Sequence, residues 1–136
     1  MPTAATRHAP EPAPAGDRLA GPAFALFLKL AELWAIGPAE ARVLLGGLAE
    51  STFYKYQKAP QSARLSHDTL ARISHLLGIY KSINLLLPRT ESADAWVRLP
   101  NDAPLFKGRS ALGYMLGGEF EDIAAVRRYL DTQRGW

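Results

Sequence analysis

Apolar residues recur at three- and four-residue steps along most of this chain, the period of helices packed on one face. From Ala23 to Ile36 only Lys29 and Glu32 are charged, and Pro22 suits a first helical turn, so a helix is predicted to open there. Phe24, Phe27, Leu28, Ala31 and Trp34 form one apolar stripe on it, and Leu26, Leu30 and Leu33 a second. A helix apolar on both stripes needs two coverings. Burial contributes ~1.5–3 kcal/mol for each large side chain, so Leu26, Leu30 and Leu33 are expected to meet a second copy of the chain. Gly37-Pro38 closes this helix and starts another, Ala39 to Leu45.

Gly46-Gly47 then makes a turn, and Glu50 to Gln57 a third helix with Phe53 and Tyr56 inward. The string EARVLLGGLAESTFYKYQK, residues 40–58, has the layout of a helix-turn-helix. Small Ala41 permits a close crossing, and Gly46 can take positive φ where the chain reverses. The second helix of such a unit presents its outward N-terminal residues to the DNA major groove. Those residues are Ser51, Thr52, Tyr54 and Lys55, with Lys58 and Arg64 placed for phosphates. The set holds no arginine for guanine, and Glu50 opposes phosphate, so the base-reading complement is thin.

Ser66 is a good N-cap for a helix carrying Leu70, Ile73, Leu77 and Tyr80, with Gly78 a point where two helices could meet. Pro88 ends the run, and residues 88–91 form the joint between two halves. Beyond it the pattern predicts a helix from Ala93 to Leu99 capped by Ser92, and a loop from Asn101 to Arg109. A short helix from Ala111 to Leu116 capped by Ser110 follows, and a last helix opens near Glu119. No stretch alternates with period two over a strand's length, so the fold class is all-α.

Composition narrows the chemistry. The chain has 136 residues, is 48% hydrophobic and 21% charged, and contains no cysteine. That is the balance of a small folded protein without disulfides or thiolate sites. No long apolar run suggests a membrane span, and no secretory leader is evident, so a cytoplasmic protein is expected with no membrane partner. Ten of the first 21 residues are Ala or Pro, which predicts a disordered tail over 1–21. The net charge is +3, with the excess in residues 22–90, where eight Lys/Arg face four acids. Three histidines, at 8, 67 and 75, have no companions suited to metal binding or catalysis, and no glycine-rich phosphate loop occurs. The chain is therefore expected to bind rather than catalyse, with no cofactor and no metal.

The strings LSHDTLARISHLLGIYKSINLLLP (65–88), DAWVRLPN (94–101), FKGRSALGYML (106–116) and VRRYLDTQRGW (126–136) closely resemble the Xre/MbcA/ParS family of antitoxins. The likeness covers about residues 22–136. It implies an Xre-like helix-turn-helix and dimerisation domain over 22–90, able to bind its own operator, and a toxin-binding domain over 91–136. The partner it implies is a RES-domain toxin with an ADP-ribosyltransferase-like fold that consumes NAD, its substrate pocket blocked by the antitoxin. Carried over residue by residue, the resemblance marks Asn101, Phe106, Arg109, Met115, Arg128, Arg134, Gly135 and Trp136 as toxin-binding. Arginine and tryptophan dominate interface energetics, which favours Arg128, Arg134 and Trp136 as direct contacts. The alternative is a DNA-binding transcriptional repressor whose C-terminal half only dimerises.

Overall fold

The computed structural model describes residues 15–135, with side chains from Arg18 onward. Seven α-helices follow one another: α1 (Ala15–Leu33), α2 (Pro38–Leu44), α3 (Glu50–Lys58), α4 (His67–Leu86), α5 (Thr90–Trp96), α6 (Ala111–Met115) and α7 (Phe120–Gln133). A 3-10 turn, Pro60–Ser62, precedes α4, and a lone antiparallel bridge joins Pro100 to Ser110. Among the described residues there is no strand, as the apolar period predicts.

The start of α1 differs from expectation. The helix begins at Ala15, so Pro22 lies inside it rather than at its first turn. Proline forfeits a backbone hydrogen bond there. Packing offsets that loss, because Ala20 and Gly21 are buried against the 3-10 turn, where a Cβ on Gly21 would stand 3.2 Å from Gln61 Cα. The predicted tail over 1–21 is corrected accordingly: residues 15–21 are helical, and the rest of it lies outside the described residues.

One of the two predicted stripes on α1 holds, and the other changes membership. Phe24, Phe27, Ala31 and Trp34 are buried, with the Phe24 ring edge-on to Phe53 and Tyr56 at 6.0 and 5.7 Å. Leu30, expected to face a second subunit, is only 3% exposed, because the four-residue step from Leu26 rotates it toward the core. Leu26 and Leu33 do stay outside, at 51% and 45% exposure, and Leu19 joins them at 60%. Positions 19, 26 and 33 are seven apart, so they make one straight stripe along the helix.

The central element is α4, which packs most extensively against α7 on one side and α1 on the other. Ser66 caps it as predicted, its Oγ accepting the Thr69 N–H at 3.1 Å. No break occurs at Gly78, and α4 is a single helix. The glycine makes a notch instead: a Cβ there would fall among the guanidinium atoms of Arg127 from α7. The buried side chains form one cluster that runs from Ala20 through α4 to Leu130. Smaller differences concern helix ends. Arg89, not Ser92, is the N-cap of α5, and that helix stops at Trp96 rather than Leu99.

Helix α1 ends three residues before the expected stop. Ala35 adopts φ +56°, and the Ile36 N–H reaches back to the Ala31 carbonyl at 2.8 Å. This is a C-cap built without glycine, and an L-residue in that conformation is strained by about 1–2 kcal/mol. Glycine relieves the strain at a conformational-entropy cost of roughly 0.5–1 kcal/mol. Ala35→Gly is therefore expected to stabilise the fold by about 0.5–1 kcal/mol, read as an increased urea midpoint; an unchanged or lowered midpoint contradicts the strain.

Candidate partner-binding surfaces

The C-terminal helices are arranged around one ring. Phe106 is fully buried and meets Trp96, Tyr114 and Tyr129 edge-on, with centroids 6.1, 5.9 and 5.2 Å apart. The loop that carries it is pinned at both ends. Asn101 donates its N–H to the Arg109 carbonyl at 3.1 Å and accepts the Gly108 N–H at 2.9 Å, while its Oδ1 accepts the Ala103 N–H at 2.9 Å. Leu112 N–H donates to the Val97 carbonyl at 2.8 Å, fastening α6 to α5. Lys107 and Gly108 turn the chain with φ of +51° and +88°, which leaves Lys107 and Arg109 outside.

This arrangement sorts the residues expected to touch a partner. Phe106 and Met115 are both 0% exposed, so their expected direct contact is corrected: they hold the surface from beneath. Asn101 is half-buried and its bonds serve its own loop. Arg109 is exposed and lies 5.2 Å from the centroid of the Tyr114 ring. Arg128 is exposed on α7 and paired with Glu121. Arg134 is half-buried, donating to Ser82 Oγ at 3.1 Å and lying 3.8 Å from Asp131, so much of its capacity is spent within the chain. Gly135 is exposed with φ +88°, and Trp136 lies outside the described residues.

The helix-turn-helix residues fall largely as expected. Ala41 is buried at the crossing, Gly46 and Gly47 take positive φ, and Phe53 and Tyr56 anchor α3 in the core. Ser51, Tyr54, Lys55 and Lys58 share the outer face of α3, while Thr52 is half-buried beside it. Arg64 is exposed just beyond, where its carbonyl accepts the Tyr56 hydroxyl at 3.2 Å. The third surface is the leucine stripe of α1. With Leu70 and Leu77 of α4, Leu19 and Leu26 line an apolar groove of about 510 Å³.

Sequence reasoning missed the arginines that tie the two halves together. Arg98, next to α5, donates Nε to the Trp34 carbonyl at 2.8 Å and its other arm to the Ala35 carbonyl, and stands 3.6 Å from Glu40 of α2. The last turn of α1 has no basic residue of its own, so Arg98 supplies the cation that a helix C-terminus favours. Arg72, 7% exposed, bonds Asp68 at 2.8 Å and the Gly118 carbonyl at 3.0 Å. Arg127 lies 3.4 Å from His75 Nδ1 and 3.5 Å from the Ser74 carbonyl. A helix lacking a C-terminal cation was the one hint in the sequence, and it did not say which arginine would answer.

The comparisons with known proteins fit this division of the chain. Residues 14–78 match the antitoxin Xre-like helix-turn-helix domain, and residues 84–135 match the antitoxin Xre/MbcA/ParS C-terminal toxin-binding domain. The chain belongs to the Xre/MbcA/ParS antitoxins. It is also 44% identical over 109 residues to the uncharacterized protein y4oB of Sinorhizobium fredii, covering 80% of this chain and 81% of that one. The antitoxin thus carries a helix-turn-helix over α1–α4 and a toxin-binding segment over α5–α7, joined by the shared helix α4. No helix among the described residues is long and apolar enough to cross a membrane.

His75 gives the antitoxin a pH dependence with a definite sign. Burial first, then the charges of Arg127 and Arg128, hold its pKa below the ordinary 6.5, against a smaller opposing pull from Asp131. The unfolded chain therefore binds more protons between the folded value and 6.5, and stability falls as pH drops below 6.5. Urea midpoints at pH 7.5 and 5.5 are expected to differ less for His75→Gln than for the parent. An equal drop in both proteins contradicts the assignment.

Proposed function

We propose that this antitoxin neutralises a RES-domain toxin that consumes NAD, by covering the toxin's substrate pocket with α7, the 101–109 loop and residues Gly135 and Trp136. The observation that carries the reading is the toxin-binding match over 84–135, which falls on a segment whose exposed side chains, Arg109 and Arg128 among them, stand over a buried aromatic cluster. The mechanism is steric, and neither catalysis nor a cofactor enters it.

Co-expression with a candidate RES-domain toxin tests this. The parent chain restores growth. Arg109→Glu with Arg128→Glu, or removal of Gly135 and Trp136, is expected to weaken binding by about 30-fold or more, the scale of one interface hot spot. Full neutralisation by both variants would place the contact elsewhere, and failure of the parent chain to bind any such protein leaves the repressor reading.

The same reading includes a homodimer formed through the α1 stripe, bound to its own operator through Ser51, Tyr54, Lys55 and Lys58. Three half-exposed leucines at seven-residue spacing accept a helix of the same period, and a second copy supplies it. Dimeric readers need both half-sites. Leu26→Asp with Leu33→Asp is therefore expected to give a monomer in sedimentation and to lose salt-sensitive retention of upstream DNA. A dimer that survives the pair of substitutions contradicts the interface.

A further inference from the structure

Two arginines stand at opposite ends of α2, the first helix of the helix-turn-helix pair, Arg98 beside Glu40 and Arg72 against the turn at Gly46. At its start, Arg98 spans the carbonyls of Trp34 and Ala35 and faces Glu40 in the first turn of α2. At its end, Arg72 lies under the turn after α2: a Cβ on Gly46 would stand 3.1 Å from both Arg72 Nε and Asp68 Oδ2. The other arm of Arg72 holds the Gly118 carbonyl, in the turn that leads into α7. Thr69 Oγ1, one turn of α4 away, donates to the Leu45 carbonyl at 2.9 Å and fixes the same turn from below.

The connections continue into the toxin-binding segment. Arg98 follows Val97, whose carbonyl accepts the Leu112 N–H, and Leu112 belongs to the helix that the pinned 101–109 loop leads into. Gly118 sits at the N-terminal end of α7, which carries Arg128. Helix α2 packs on α3 and buries Ala41 and Leu44 in the common core, and the two arginines meet it at its ends, where its position along that core is set.

We infer that Arg72 and Arg98 are positioning residues through which the toxin-binding segment sets the placement of α2–α3, so that occupancy of the toxin-facing surface is transmitted to the DNA-facing helix. The transmission rests on the toxin-binding reading above; the positioning of α2–α3 does not. A ligand that orders the 101–109 loop and α7 also orders the carbonyls and turns that these arginines hold, and the coupling is an entropic stiffening carried through named bonds.

Amide hydrogen exchange on the full chain tests both parts. Arg98→Ala alone, and Arg98→Ala with Arg72→Met, are compared with the parent, without and with the candidate RES-domain toxin used in the co-expression test. Without that protein, residues 38–58 are expected to exchange about tenfold faster in the double variant and to a smaller degree in Arg98→Ala, while 120–133 keep their protection. With it, exchange at 38–58 slows in the parent and not in the double variant, while 120–133 slow in both. Arg98→Lys, which keeps a charge opposite Glu40, restores part of the effect. Unchanged exchange at 38–58 in both variants overturns the positioning, and equal slowing there in parent and double variant overturns the transmission. Absence of any change at 120–133 in the parent reports instead that the toxin-binding reading has failed.

Discussion

The fold depends on α4 having two covered faces. Its α1 side carries the core of the helix-turn-helix unit, and its α7 side carries the core of the toxin-binding segment. Neither segment is large: the family matches span residues 14–78 and 84–135, and domains of that size bury too little apolar surface to be more than marginally stable alone. Sharing one central helix lets both draw on a single continuous core. The helix reads poorly as an amphipathic one because Thr69, Arg72 and Ser82 sit on its buried face while Leu70 and Leu77 are half-buried on its flank and Leu85 is exposed.

Polar links extend what the shared core begins. Arg72 is a nearly buried charge, and a charge in that position is tolerated only when paired and hydrogen-bonded. Asp68 and the Gly118 carbonyl supply that, so the cost of burial is met by one partner from each half. Arg98 works differently, at the surface, by satisfying carbonyls that the end of α1 leaves without helical partners. Both devices place a cation of one segment on the backbone of the other, a directional contact that apolar packing does not provide.

The division between support and contact in the toxin-binding segment follows from the same economy of size. Three aromatic rings converge on Phe106, supplying a core for a five-residue helix and a nine-residue loop that have little other apolar packing of their own. The exposed cations Arg109 and Arg128 stand outside that base, one against Tyr114 and one against Glu121.

Helical class, the helix-turn-helix layout and the antitoxin resemblance were legible in the sequence, because period, turn glycines and caps are local properties. Ser66 and Ser110 cap their helices as read, and Phe53 and Tyr56 point inward as read. Tertiary packing decided the rest. It carried α1 back through Pro22, kept α4 whole at Gly78, turned Leu30 inward and sank Phe106 and Met115 beneath the surface they were expected to form. The family strings could mark which residues matter at the C-terminus but not which of them face outward. That depends on how helices distant in the chain lie against each other, and the arginines joining residues 46 to 64 positions apart are fixed by the same arrangement.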